Sequence, residues 1–348
     1  MWVPVFPFDP AFGPVGLTRG VADVPFGITD SRQRENVESG DSRMVPRRPS
    51  REGQIGFIYS PPYRVQGISV AGEQTILQVP ELDLNFDIGM CPRVALPASY
   101  VALSHAHMDH LGGLPYYFSQ RFFQKLGKGT CICHPDLVDP IRRMMKSWVD
   151  LEAQETPHEI IGLAPGDEFQ LRKDVFLRGF EVNHTRSSMG YLVVEKRSKL
   201  KEEFRDMPQN RLRELKASGT EITRMIEVPL VACSGDTSPG DFLVSDEFAN
   251  AKIILCECTF FDSDHRERAK TGHHIHVEDF KKMLLESWKA QDVVITHISR
   301  RSDMNRVRQI VAGMSEEYSN GSVHMLMDHR TNRERYESQK EEFLKEQS

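Results

Sequence analysis

The chain of 348 residues has no run of about 18 apolar residues, which removes a membrane-spanning helix from consideration. It is poor in cysteine, with six in all. Two pairs, Cys131/Cys133 and Cys256/Cys258, stand at alternating positions that suit small strand fillers and not a disulfide framework. Net positive charge is also missing. A formal charge of −6 argues against wholesale coating of nucleic acid and leaves room only for local basic surfaces. Residues Met1 to Pro14 carry no basic residue ahead of an apolar stretch and are broken by four prolines, so no secretory signal is expected. These absences together point to a chain without membrane spans in a reducing, cytoplasmic compartment. No internal repeat is evident.

Residues 1–60 combine many prolines with polar stretches and the basic run Arg47, Arg48, Arg51, without a sustained apolar period. They are expected to be a disordered extension. From Tyr63 the pattern changes to short apolar, β-branched runs: 67–71, 75–79, 82–88 and 100–103. Helices are expected over 110–125 and 135–153, the latter opened by proline, with a strand at 131–133 between them. A second series of strands follows at 168–171, 175–182, 190–194, 228–233, 252–258, 293–297 and 323–327, with helices near 277–288 and 303–316. Two strand-rich halves, each ending in helices, predict an α/β fold of two sheets flanked by helices, an αββα sandwich spanning 61–330. Residues 195–218 form a charged insertion between strands, with eight basic residues against five acidic, and 331–348 a charged tail.

The chemistry is concentrated in His105-Ala106-His107-Met108-Asp109-His110, which follows the apolar run Tyr100 to Leu103. Four ligating side chains fall within six residues at a strand end, and imidazole with carboxylate suits zinc and similar metals. Later strands supply three more donors at their ends: His184, Asp236 and His297. Alone, each of these would read as a surface residue or a turn. Seven donors in all are enough for two ions.

The order His105-x-His107-x-Asp109-His110, His184, Asp236, His297 resembles the metallo-β-lactamase superfamily. Gly67-Ile68-Ser69, Phe86-Asp87-Ile88-Gly89, Ser104 to Pro115, Glu257-x-Thr259-Phe260 and Thr296-His297-Ile298-Ser299-Arg300 narrow the likeness to tRNase Z in its short, plant-type form, over roughly 64–330. That resemblance implies two zinc ions, with manganese as the alternative. His105, His107 and His184 would hold one ion, and Asp109, His110 and His297 the other, with Asp236 bridging. It also implies an endoribonuclease that removes 3′ trailers from precursor tRNA and acts as a homodimer. Asp109 would take part in catalysis as well as in metal binding. A phosphodiester's departing alkoxide needs a general acid, and the resemblance places that role on His274, oriented by Glu257. His276, Arg300, Arg301, Lys199 and Lys201 are candidate RNA contacts. Two rival readings keep the fold: a hydrolase of a smaller phosphodiester, such as a cyclic nucleotide or oligonucleotide, and a non-catalytic nucleic-acid-binding module. Cys256 stands where many members have histidine, and the N-terminal strands lack a Pro-x-Lys-x-Arg-Asn loop. Both departures touch substrate recognition.

Overall fold

The computed structural model describes residues 55–346. The first sheet runs β1 (Gly56–Ser60), β2 (Tyr63–Val70), β3 (Gln74–Val79), β4 (Leu84–Phe86), β5 (Tyr100–Ala102), β6 (Gly129–Cys133) and β7 (His158–Gly162), each strand beside its sequence neighbour. The second repeats that order with β8 (Glu168–Arg172), β9 (Val175–Glu181), β10 (Met189–Leu200), β11 (Thr223–Cys233), β12 (Ile253–Glu257), β13 (Asp292–Thr296) and β14 (Ser322–Met325). Each sheet begins antiparallel and ends parallel, the parallel pairs being β4 to β7 and β11 to β14.

Strand alternation sorts the apolar side chains into three layers. Ala102, Ile132, Leu177, Val231, Leu255 and Val294 meet between the sheets. Val101, Leu103, Cys131 and Cys133 face outward, under the helices Leu114–Phe123 and Pro135–Glu152. Ile254, Cys256, Val293 and Ile295 pack under Val277–Glu286 and Met304–Glu317. The parallel strands are covered on both faces and so read as continuous apolar runs in the sequence. This is the expected αββα sandwich. All six cysteines are free. Among the described residues, no helix is long and apolar enough to cross a membrane.

Both predicted boundaries shift. The expectation of a disordered extension through residue 60 fails at its end, because β1 lies within it and is buried along its whole length. The rest of that extension, 1–54, lies outside the described residues. The charged tail is a helix, His329–Glu346, with Asn332 and Tyr336 buried. Its apolar signal is sparse because the helix is anchored mainly by polar groups. Asn332 Nδ2 donates to the Met325 and Leu326 carbonyls at 2.9 and 3.0 Å, and Tyr336 meets Phe57 edge-on at 5.2 Å.

Beneath this helix, Asp292 is 1% exposed and accepts from Arg335 Nη2 at 2.8 Å, His324 Nε2 at 2.7 Å and the Ser60 hydroxyl. Burial drives His324 below its ordinary pKa against the pull of Asp292, so the imidazole is a neutral donor and Arg335 supplies the charge. Burial would raise the Asp292 carboxyl, but His324 and Arg335 hold it below its usual range. Arg335→Ala is expected to lower unfolding stability by about 2 kcal/mol in denaturant titrations, since it leaves a buried carboxylate without its cation. Because the folded pKa of Asp292 is depressed, its contribution is present above the unfolded value and lost as pH falls through the folded one. On acidification the parent chain should therefore lose stability more steeply than Asp292→Asn.

Candidate metal centre

The parallel halves of both sheets end at one edge of the sandwich, where loops leaving strand C-termini commonly build sites. β4 delivers Asp87 there, β5 the 104–110 loop, β11 Asp236, β12 Glu257 and β13 His297, while His184 follows β9. Asp87 and His297 adopt left-handed backbone, with φ of 60° and 57°, an uncommon state for non-glycine residues that clusters at functional sites.

All seven predicted donors converge. His107 Nδ1 lies 2.9 Å from His105 Nε2 and 3.3 Å from His184 Nε2. His110 Nε2 lies 3.4 Å from His297 Nε2, and Asp109 Oδ2 is 3.5 Å from each. Asp236 Oδ2 stands between the two groups, 3.2 Å from His110 and from His297 and 3.9 Å from His105.

The partners of the outer ring nitrogens fix which tautomer each imidazole adopts. His110 Nδ1 donates to Asp87 Oδ2 at 2.7 Å, and His184 Nδ1 donates to the His273 carbonyl at 3.1 Å. The Ser104 hydroxyl spends its proton on Asp87 Oδ2 at 2.8 Å, so at 3.0 Å it can only accept from His105 Nδ1. Likewise Thr259 Oγ1 donates to Glu257 Oε2 at 2.6 Å and accepts from His297 Nδ1 at 3.0 Å. In their neutral, metal-binding form the four rings therefore turn their Nε2 lone pairs into one shared space. Lone pairs so placed repel unless a cation lies between them, and this donor set suits a divalent metal.

The electrostatics divide the rings: burial would lower His110, but Asp236, Asp87 and Asp109 raise it well above the ordinary imidazole value, so a cation bound there would take the place of its proton. Burial and neighbouring His110 push His105 down to about 2, and burial also lowers His184, which keeps both neutral and able to ligate. Burial would raise Asp236, but His110 and His297 hold it well below the carboxylate range. Asp109 is lowered too, its burial outweighed by His110 and His297.

Beside this cluster Glu257, 1% exposed, accepts four hydrogen bonds. They come from Thr237 N at 2.7 Å, Thr259 Oγ1 at 2.6 Å, Ile275 N at 3.2 Å and His274 Nδ1 at 2.9 Å. His274 stacks on His297 with ring centres 5.2 Å apart. Burial lowers its pKa, but the Glu257 carboxylate outweighs this and raises it to about 9, a protonated imidazole at neutral pH.

The remaining candidates divide. His276 is not at the cleft. It is 3% exposed and caps the following helix, with Nδ1 accepting from Glu278 N and Nε2 held by the Asp262 carbonyl, so the expectation of an RNA contact there is corrected. Arg300 is exposed at the rim but paired with Glu73 at 2.6 Å, whereas Arg301 is exposed beside it. The 195–218 insertion is a ribbon: β10 and β11 run on past the sheet, from Lys196 opposite Glu227 to Leu200 opposite Thr223, and carry the helix Gln209–Ala217 at the tip. Lys199 is exposed and sits directly across from Arg224, while Lys201 lies 3.6 Å from Glu221. Reasoning from sequence missed Asp87, Ser104 and Thr259 as ring anchors, and the His273 carbonyl. Their signal was adjacency to the motif residues.

Comparison with known proteins gives the class first. A β-lactamase superfamily domain matches residues 90–298, more than half of the chain. The metallo-β-lactamase fold protein YhfI from Bacillus subtilis superposes with a TM-score of 0.51 at 14% identity, covering 78% of this chain and 95% of that one. Among curated relatives, tRNase Z TRZ1 of Arabidopsis thaliana is 34% identical over 256 residues, 72% of this chain and 91% of that protein. The chloroplastic tRNase Z TRZ2 of the same plant is 31% identical, covering 74% of this chain and 73% of its own length. The chain belongs to the tRNase Z family within the β-lactamase superfamily.

Thr259→Val removes both the acceptor for His297 and a donor to Glu257. Metal affinity measured by chelator competition should fall about 10- to 100-fold, with recovery in Thr259→Ser.

Proposed function

We propose that the chain is a zinc-dependent phosphodiesterase of the tRNase Z type, an endoribonuclease that removes 3′ trailers from precursor tRNA. The observation that carries the reading is the adjacency of two features: a donor set for two cations, and a carboxylate-held imidazole, His274, stacked on one of its rings. Together they answer the two needs of phosphodiester hydrolysis, an activated water and a proton for the departing oxygen. Two zinc ions, or manganese in their place, would be held by His105, His107 and His184 on one side and Asp109, His110 and His297 on the other, with Asp236 shared. Bound there, they supply Lewis acidity that activates water and offsets charge at the phosphate.

The chain's own residues perform the rest. His274, protonated and fixed through Nδ1 by Glu257, delivers its Nε2 proton to the departing 3′-oxygen of the tRNA. Glu257, which accepts from four donors, faces the ring and offsets its charge. Asp109, less buried than Asp236, orients the attacking water. The ribbon beyond the second sheet offers Lys199, Lys201 and Arg224 to RNA phosphates; like charges directly opposed across a ribbon are unfavourable until an anion joins them. Arg301 offers a further guanidinium beside His297. Exposed Tyr116, Phe123, Trp148 and Leu151 on the outer helices support a homodimer that covers them. Six free cysteines support a reducing, cytoplasmic setting.

Incubation with a 3′-extended tRNA transcript and zinc or manganese should give one cut after the discriminator base, leaving a 3′-hydroxyl. His107→Ala should abolish it. His274→Ala should slow single-turnover cleavage by about 100-fold or more while metal content stays near that of the parent. Cleavage by the His274 variant at the parental rate would remove its role as acid. Lys199→Glu with Lys201→Glu should raise KM for the transcript several-fold and flatten its dependence on salt by about one unit of log–log slope for each phosphate no longer neutralised.

A further inference from the structure

Of the two carboxylates at the centre, Asp109 is the less enclosed. Its side chain is 15% exposed against 4% for Asp236. Its hydrogen bond from outside the cluster comes from a backbone amide, Gly72 N, at 3.0 Å from Oδ2. Gly72 forms the tip of the turn between β2 and β3. Its φ of +72° is a conformation that side chains with a Cβ rarely adopt, and this lets the amide face Asp109.

The same turn reaches His297. Ser69 Oγ accepts from His297 N at 2.8 Å, and Ala71 N donates to the Ile298 carbonyl at 3.3 Å. One residue beyond Gly72, Glu73 pairs with Arg300 at 2.6 Å, three residues beyond His297. The turn is thus closed onto the loop after β13 by backbone bonds on one side of Gly72 and by an ion pair on the other.

We propose that the Glu73–Arg300 pair is a clasp that positions Asp109, and with it the Asp109, His110 and His297 half of the centre, with no role in the His105, His107 and His184 half. The proposal rests on the reading of two cation positions and concerns what holds one of them. Arg300 then acts through Glu73 as a positioning residue and is not a contact to RNA.

The test is titration of the purified full chain with zinc alone against a chromophoric chelator, alongside thermal unfolding. Glu73→Gln and Arg300→Ala should each weaken one of the two zinc ions about fivefold, the scale of an exposed ion pair, while the other binds as in the parent and the unfolding midpoint holds. Exchanging the charges, Glu73→Arg with Arg300→Glu, should restore the weakened site, which a general loss of structure would not allow. Two ions bound as tightly as in the parent, or both lost together with a lowered midpoint, would overturn the clasp alone. A parent chain that binds a single zinc would overturn the two-cation reading and the clasp with it.

Discussion

Lone pairs aimed at one another are the constraint around which this molecule is arranged. Four imidazoles have their outer nitrogens committed as donors to Asp87, Ser104, Thr259 and the His273 carbonyl. Their inner nitrogens are left as acceptors in a space shared with two carboxylates. Without positive charge that arrangement is costly, and with a divalent cation it becomes favourable. The anchors matter as much as the donors, because each selects the tautomer that can bind metal.

The sandwich makes this convergence possible. Parallel strands from both sheets end at one edge, so residues from 87 to 297 meet there on loops held by rigid strands. Glu257 joins the two chemical functions. Its carboxylate fixes His274 directly, reaches His297 through Thr259, and holds the backbone next to Asp236 through Thr237 N. His274, His297 and the backbone beside Asp236 are therefore linked by short hydrogen bonds around one buried acid, and a shift in any of them is felt by the others.

The layer order and most strands were legible in the sequence, because strands buried on both faces read as continuous apolar runs and amphipathic helices carry their own period. Several elements were not, β7 among them. β1 is a five-residue apolar run at the edge of a polar, proline-rich stretch whose composition hid it. The helix His329–Glu346 buries Asn332 and Tyr336 and is held by polar contacts, so hydropathy gave it no stripe. The ribbon at 195–218 is exposed on both faces, which leaves its strands without an apolar signature.

Residue types at strand ends were enough to single out the seven side chains that converge, and family likeness was enough to pair His274 with Glu257. Closure of the fold was needed to settle which side chains stand behind those donors, that His276 turns inward to cap a helix, and that Arg300 is matched by Glu73. The reason is physical. A ligand announces itself by residue type, whereas a hydrogen-bond partner, a cap or an ion pair is set by distance and direction, and residues far apart in the chain acquire these only when the two sheets close on each other.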